Sequence, residues 1–302
     1  MKYPIIKKPV VLLAKNDYAG ILWKLRCAIN RYSKKYEAVH IAFDVNQFHY
    51  PIEILASDNQ LDHVQDLLDN AACIILKDYD LQAYELPLIT VDPSKCIWYG
   101  VGANYRYRQK ESIFDKWAMR LVSTPDMLCR DDDIYLPAPY DTDEYTARKM
   151  KLTKEINVIH SPSNITQKGT PLINTVINKI MVEYPKVKYI EIAGQSHAYA
   201  MREKRNADIF IDQIGQHHIL GYNSIEAAAY GSCVVTDTRD DTDNPAVHAT
   251  PDTLYKVLEG LVKKPAEIIK NGRDMRKWVV GAHGYKAVMG QLEPLIDRIV
   301  RN

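Results

Sequence analysis

The sequence predicts an α/β protein made of two parallel-sheet domains, on three observations. Apolar runs alternate with amphipathic stretches from residue 9 onward. That alternation stops at a polar, acidic, proline-containing segment and restarts at Ile156, and everything after Thr253 carries helical periodicity alone. A length of 302 residues fits roughly two domains of about 150. Hydrophobic types at 46% and charged types at 25% exclude a disordered or collagen-like chain.

The elements follow in order. Pro9 to Ala14 is continuously apolar, as a strand buried on both faces must be, and Asn16 and Asp17 supply turn and cap chemistry. Ile21, Leu22, Leu25, Ala28, Ile29 and Tyr32 then recur at the three-and-four spacing of one helical face. EAVHIAF is the second strand, Leu61, Val64, Leu67 and Leu68 form a second helical stripe, and Cys73 to Leu76 is the next strand. Strand, helix, strand, helix, strand favours a parallel sheet over an antiparallel sandwich. CIWYGVGANYRY and WAMRLVST predict two more strands with a short helix over 107–114 between them. The stretch RDDDIYLPAPYDTDEYTARKMKLTKE is placed as the domain linker. Beyond it INVIH, VKYIEIAG, ADIFIDQ and CVVT predict strands, alternating with helices over TPLINTVINKIMVEY, AYAMREKR and NSIEAAAYG.

Lys and Arg number 39 against 38 acidic residues, so no global positive field drives non-specific nucleic-acid binding. Cutting near residue 148 leaves 18 basic and 21 acidic residues before the cut and 21 and 17 after it, which places an anionic ligand in the second half. The five cysteines are widely spaced and two lie in apolar runs, against a disulfide framework. The apolar run near the N-terminus is too short for a signal segment or a membrane span, so the expected compartment is the cytoplasm. The sequence carries no signal of oligomeric state.

In open parallel sheets ligands collect at the carboxyl ends of strands, where helix N-termini also point. His160 leaves a strand, and Gln167-Lys168-Gly169-Thr170-Pro171 enters a helix, with Thr170 suited to the N-cap and Pro171 to the first helical position. Lys168 there is either a phosphate-binding ammonium or a solvated lysine; His160 is either a ligand contact or a satisfied, half-buried imidazole. Downstream, a strand ending near Asp212 leads through a glycine-punctuated loop into a short alanine-rich helix. Gly221 and the backbone N–H groups near Asn223 and Ser224 are candidates for a second phosphate contact. Glu226, one turn into the helix, offers acceptors to the two hydroxyls of a ribose or stands as a surface carboxylate. His217, His218 and Asp212 fit no standard zinc spacing, and the runs Asp240 to Asp243 and Asp131 to Asp133 are placed as hydrated loops, so no metal is expected.

In the first half, Asp17-Tyr18-Ala19-Gly20 opens a helix with little bulk, for close approach of a ligand or simply for tight packing. Tyr99, Asn104, Tyr105 and Arg106 lie just past a strand and are candidates to face a cleft. The chain has no G-x-x-x-x-G-K-[ST], no G-x-S-x-G, no H-E-x-x-H and no G-x-G-x-x-G.

HSPSN, then QKGT and a helix, EIAG, NADIFIDQ and GYNSIEAAAYGSCVVT together resemble the donor-binding domain of retaining GT-B glycosyltransferases, the large family that includes sucrose synthases and glycogen and mannosyl transferases. DYAG, STPDML and LPAPYD are weaker supporting pieces in the first half. The resemblance implies two Rossmann-like domains with sheets facing across a cleft: an acceptor-side domain over 1–148, a nucleotide-sugar domain over 149–283, and a helix over 284–302 crossing back to the first. It implies that Lys168 binds the nucleotide diphosphate, Glu226 the ribose, the segment Gly221, Tyr222, Asn223 and Ser224 the diphosphate or base side, and that Gly20 lies near the sugar phosphate. Many members carry a carboxylate eight positions before the Glu226 equivalent, beside the donor sugar; His218 stands there instead, a hydrogen-bond partner for a donor hydroxyl or the mark of an altered reaction. Members also often place an arginine shortly before the lysine, and none occurs between Lys154 and Lys168. Arg202 and Arg205 are the candidates to compensate.

The implied activity is transfer of a hexosyl or pentosyl unit from a nucleotide-diphosphate sugar, UDP- or GDP-linked, to a hydroxyl acceptor with retention of configuration. No tightly bound cofactor is implied. A modified nucleic-acid base is a less favoured acceptor. A sugar-nucleotide epimerase or phosphorylase and a non-catalytic sugar-nucleotide-binding protein are the alternatives.

Overall fold

A computed structural model describes residues 6–46, 48–77, 89–102, 105, 108, 111–147, 155–216, 218–239 and 243–301. The chain forms two compact units. One comprises residues through Asp141 together with Tyr285 onward; the other is Thr142–Gly284.

The first unit holds a seven-stranded sheet in the order β3-β2-β1-β4-β5-β6-β7, with every pairing parallel. Its strands are β1 (Lys8–Asn16), β2 (Tyr36–Asp44), β3 (Ile54–Leu55), β4 (Cys73–Lys77), β5 (Cys96–Gly100), β6 (Met119–Val122) and β7 (Asp133–Tyr135). Val10 to Ala14 are fully buried, as a central parallel strand covered on both faces requires. Helices α1 (Ile21–Tyr32) and α2 (Leu61–Asp69) are the amphipathic connections between the strands. The last helix of the chain, α8 (Tyr285–Arg301), belongs to this unit. Asp297 of α8 accepts from Lys35 Nζ at 2.7 Å and Tyr36 Oη at 2.5 Å, and Glu293 accepts from Ser33 Oγ at 2.7 Å.

The second unit is a five-stranded sheet in the order β12-β11-β10-β8-β9, again all parallel. It uses β8 (Ile156–His160), β9 (Val187–Glu191), β10 (Ile209–Ile211), β11 (Cys233–Thr236) and β12 (Val247–His248). The connecting helices are α3 (Thr170–Glu183), α4 (His197–Lys204), α5 (Tyr222–Ala229), α6 (Leu254–Lys263) and α7 (Pro265–Ala282). Ile156, Val158, Ile173, Ile177, Ile209, Ile211, Cys233 and Val235 share its core.

Three differences from the sequence reading have local causes. The stretch placed as linker contains β7, because Asp133 there is tied down: Arg120 Nε donates to its Oδ1 at 3.0 Å, and the Cys129 and Arg130 amides donate to its Oδ2. The unit boundary falls at Asp141/Thr142 rather than near 148, since Arg276 donates to the carbonyls of Thr142, Tyr145 and Ala229 and holds 142–145 in the second unit. The two-residue strands β3 and β12 were too short to show a period. The helix expected over 107–114 falls partly outside the described residues, which retain a 3-10 turn at Ser112–Phe114; residues 148–154 also lie outside them.

Both strand orders reverse direction once. In the first unit the switch point lies between β1 and β4, and in the second between β8 and β10. In doubly wound sheets the ligand crevice forms at the carboxyl ends of such a pair.

Candidate functional site

At the switch point of the second unit the chain leaves β8, turns, and enters α3 through Gly169, whose φ of +72° is the left-handed conformation that glycine tolerates. A Cβ at this position would overlap the Ile214 carbonyl oxygen. Lys168, one residue earlier, sends its ammonium across to the end of β10, donating to Asp212 Oδ1 at 2.7 Å and Gln213 Oε1 at 2.8 Å. Asp212 is buried, and its other oxygen accepts from Ser224 Oγ at 2.7 Å. Burial alone would raise the Asp212 pKa, but the Lys168 charge, its hydrogen bond and the Ser224 hydroxyl outweigh that and hold the carboxyl below its ordinary value.

Gly221 closes this arrangement. A Cβ there would lie 3.0 Å from Lys168 Nζ and would overlap Asp212 Oδ2, so the ammonium sits against the N-cap of α5. The N–H groups of Ser224 and Ile225 turn back to Gly221 O, at 3.0 and 3.4 Å. Those of Tyr222 and Asn223 head the first turn, where helix amides point out along the axis. An ammonium with three donors, two of them used within the protein, therefore meets the positive end of a helix at the switch point.

Glu226 lies on the same helix but faces inward. Its carboxylate is buried between Lys204 Nζ, 2.5 Å from Oε2, and His197 Nε2, 2.8 Å from Oε1. Lys204 also donates to Asn223 Oδ1 at 2.6 Å, and Asn223 Nδ2 donates to the Ser161 carbonyl at 2.8 Å. Of the two readings of Glu226, the surface carboxylate is thus replaced by one held by two internal partners. The two clusters meet at one helix N-terminus, Lys168 through Asp212 and Ser224, Glu226 through Lys204 and the adjacent Asn223. The sequence reading missed Gln213, Lys204 and His197; a buried lysine on a helix as charged as REKR leaves no periodic signal.

His160 is corrected as a ligand contact. It is fully buried, with Nδ1 2.8 Å from Ile211 O and Nε2 2.8 Å from Thr170 Oγ1. A carbonyl can only accept, so Nδ1 carries the proton and Nε2 accepts from the hydroxyl. Burial, the largest influence, lowers its pKa and keeps the ring neutral. Thr170 accordingly serves His160 rather than capping α3; the N-cap is Gly169. His218 is half-buried, with Nε2 2.6 Å from Arg239 Nη2 and 3.0 Å from Gly215 O. His217 lies outside the described residues. Arg202 points to Glu203 and does not join the Lys168 cluster.

The first unit's switch point is filled from within. Asp17, fully buried, accepts from the Leu22 and Trp23 amides of α1 at 3.1 and 3.0 Å and from Lys77 Nζ at 2.9 Å. An internal carboxylate thus occupies the anion position at that helix N-terminus. Burial raises the Asp17 pKa, yet Lys77 first and His40 next bring it below its ordinary value. The space beside Gly20, expected to admit a ligand, holds the Tyr50 ring, which a Cβ there would overlap. Tyr99 and Tyr105 are corrected as cleft residues: both are buried, with Tyr99 Oη donating to Leu136 O at 2.9 Å and Tyr105 Oη reaching Asp133 Oδ2 at 3.3 Å. Asn104, Arg106 and residues 240–242 lie outside the described residues. Among the described residues no three His, Cys, Asp or Glu side chains gather as a metal site, and no helix is long and apolar enough to cross a membrane.

No family model matches the chain, and no curated protein matches it in sequence. Solved structures match it along nearly its whole length. Anabaena HepE in complex with UDP and glucose has 10% identity and a TM-score of 0.64, covering 96% of this chain and 100% of that one. An alpha-glucosyltransferase in complex with UDP and a 13-mer DNA containing an A:G mismatch has 9% identity and a TM-score of 0.66, covering 96% and 99%. The fold is GT-B. A putative UDP-N-acetylglucosamine 2-epimerase from Listeria monocytogenes is also similar, at 10% identity and a TM-score of 0.61 over 96% of each chain. One GT-B architecture thus serves proteins described by different reactions, so for this chain activity must be argued from the site.

Proposed function

We propose that this protein is a glycosyltransferase that moves a sugar from a nucleotide-diphosphate donor, UDP- or GDP-linked, to a hydroxyl acceptor. The observation that carries the reading is the convergence of Lys168 Nζ with the N-terminus of α5 at Gly221, at the switch point of the second unit. Asp212 and Gln213 fix the ammonium in place before any ligand arrives, so binding costs little reorganisation. The equivalent place in the first unit is filled by Asp17 and Lys77, which leaves the second unit as the nucleotide side.

In the reaction the bond from the anomeric carbon to the phosphate oxygen breaks, and its electron pair stays on the departing diphosphate. Lys168 and the α5 amides hold that growing charge more strongly than the ground state, which lowers the barrier. The acceptor oxygen bonds to the anomeric carbon, and its proton passes to the diphosphate. Retention follows when the acceptor approaches on the face the diphosphate leaves, and no side-chain base is then needed. Glu226 reaches a ribose only by sharing its carboxylate with His197 and Lys204.

The test is a panel of UDP-, GDP-, ADP- and TDP-sugars scored by thermal shift, followed by mass spectrometry of products with the preferred donor. A donor present at about 100 times its dissociation constant stabilises the folded state by about 2.7 kcal/mol. Stabilisation followed by transfer to an added alcohol supports the proposal. Donor turnover without transfer points to an epimerase, binding without turnover to a non-catalytic protein, and no shift with any donor overturns the nucleotide-sugar reading.

A further inference from the structure

A diphosphate carries more negative charge than one ammonium offsets, and Lys168 already faces the Asp212 carboxylate. The neighbouring strand, β11, ends at Thr236, and the residues just beyond it present a second cation. Arg239 Nε donates to Asp237 Oδ1 at 3.0 Å and Nη2 to Oδ2 at 2.8 Å, a bidentate fork that fixes the guanidinium plane. Asp237 is fully buried, whereas the Arg239 side chain is 48% exposed, so the carboxylate lies beneath and the cation faces outward. His218 Nε2 lies 2.6 Å from Arg239 Nη2 and 3.0 Å from Gly215 O, so the imidazole flanks the guanidinium. His248 Nδ1 accepts the Thr238 amide at 3.2 Å on the other side of the loop.

Gln213 links this pair to the phosphate site. Its Oε1 accepts from Lys168, while its carbonyl accepts from the Asp237 amide at 2.9 Å and from Thr236 Oγ1 at 3.1 Å. The two cations are therefore mounted on either side of one residue. Lys168 is held at the end of β10 and Arg239 just past the end of β11, and these adjacent strands run about 4.8 Å apart.

We propose that Arg239 is the second cation of the diphosphate site, held for that task by Asp237 and steadied by His218. This rests on the glycosyltransferase reading above. It assigns to Arg239, just past the end of β11, the charge that the sequence lacks ahead of Lys168 and that Arg202, paired with Glu203, does not supply. As the anomeric bond breaks and its electron pair moves to the diphosphate, the guanidinium N–H groups strengthen their hold on the leaving oxygens. His218 is then a positioning residue for Arg239.

The test is isothermal titration of the whole protein with UDP, GDP, uridine, guanosine and inorganic pyrophosphate, comparing wild type with Arg239→Ala, Arg239→Lys and Arg202→Ala. Hydrogen bonds to charged groups are worth enough that losing one weakens binding about tenfold or more. Arg239→Ala is expected to weaken the preferred nucleoside diphosphate and pyrophosphate by that factor and to leave nucleoside affinity unchanged. Arg239→Lys recovers part of the loss, and Arg202→Ala behaves as wild type. Because Asp237 beneath Arg239 is fully buried, Arg239→Ala is expected to melt below wild type; a cooperative melt above the titration temperature and unchanged nucleoside affinity establish that it is folded, and Arg239→Lys keeps a cation on Asp237. Wild-type affinity for diphosphates in Arg239→Ala overturns this assignment alone. A wild-type protein that binds neither nucleoside diphosphate nor pyrophosphate overturns the glycosyltransferase reading and this assignment with it.

Discussion

Replacing Lys168 with alanine should cost stability as well as ligand binding, because the ammonium is one half of a buried ion pair. The variant strands Asp212, whose side chain is 1% exposed and whose Oδ1 loses a partner at 2.7 Å. Removing one member of a buried pair costs about 3–5 kcal/mol. The lower end applies here, since Ser224 Oγ still holds Oδ2 and the 13% exposure of the Lys168 side chain lets water in once it is gone. For a domain of this size about 3 kcal/mol corresponds to roughly 6–12 °C in melting temperature.

The pH dependence follows from the same pair. In the wild type the Asp212 pKa is lowered, so its contribution is present above the unfolded value near 3.8 and is lost as pH falls through the folded one. Without Lys168, burial raises that pKa instead, and the variant loses stability as pH rises. The deficit should therefore be larger at about pH 7.5 than at about pH 4. Lys168→Ala/Asp212→Ala, which strands no charge, should be more stable than the single variant at the higher pH. Denaturant melts of the three proteins at both pH values decide the matter. A single variant within measurement error of wild type at the higher pH, or a double variant no better than the single, refutes the pairing argument.

Glu226→Ala leaves the Lys204 ammonium buried without its carboxylate and should cost about 3 kcal/mol of stability in a denaturant melt, so it cannot by itself report on ribose binding. Glu226→Gln keeps an oxygen for Lys204 and is the cleaner probe: nucleoside diphosphate affinity should fall while pyrophosphate affinity holds. Mild acid should destabilise the protein through two buried histidines. His160 and His40 are both fully buried with pKa values lowered chiefly by burial, so the unfolded chain takes up protons near pH 6.5 that the folded one refuses. Stability measured in urea should decline as pH is lowered from about 7.5 to 5.5, and a flat profile would contradict the neutral, buried assignment.

The parallel sheets and the connecting helices could be read from sequence because their signals are local. Val10 to Ala14 and Cys233 to Val235 are continuous apolar runs, and the α1 face repeats at three and four. Lys168 and Gly221 could be placed at the entrances of α3 and α5 for the same reason. What sequence could not convey is which polar side chains answer one another. Lys168 and Asp212 are separated by 44 positions and Lys77 and Asp17 by 60, so nothing in either neighbourhood announces the pairing. The same holds for Tyr50 filling the space beside Gly20, and for Arg239, whose place next to His218 depends on β11 lying alongside β10. That Glu226 faces inward could not be read either, because the alanine-rich α5 buries nearly every face and gives no stripe from which to read direction.

A crystal structure of the protein soaked with its preferred nucleoside diphosphate tests the central claim most directly. The account predicts diphosphate oxygens within hydrogen-bonding distance of Lys168 Nζ and of a backbone amide in the first turn of α5. Density for the diphosphate beside Asp17 and Lys77 in the first unit, or on a surface away from the β8/β10 switch point, would contradict it.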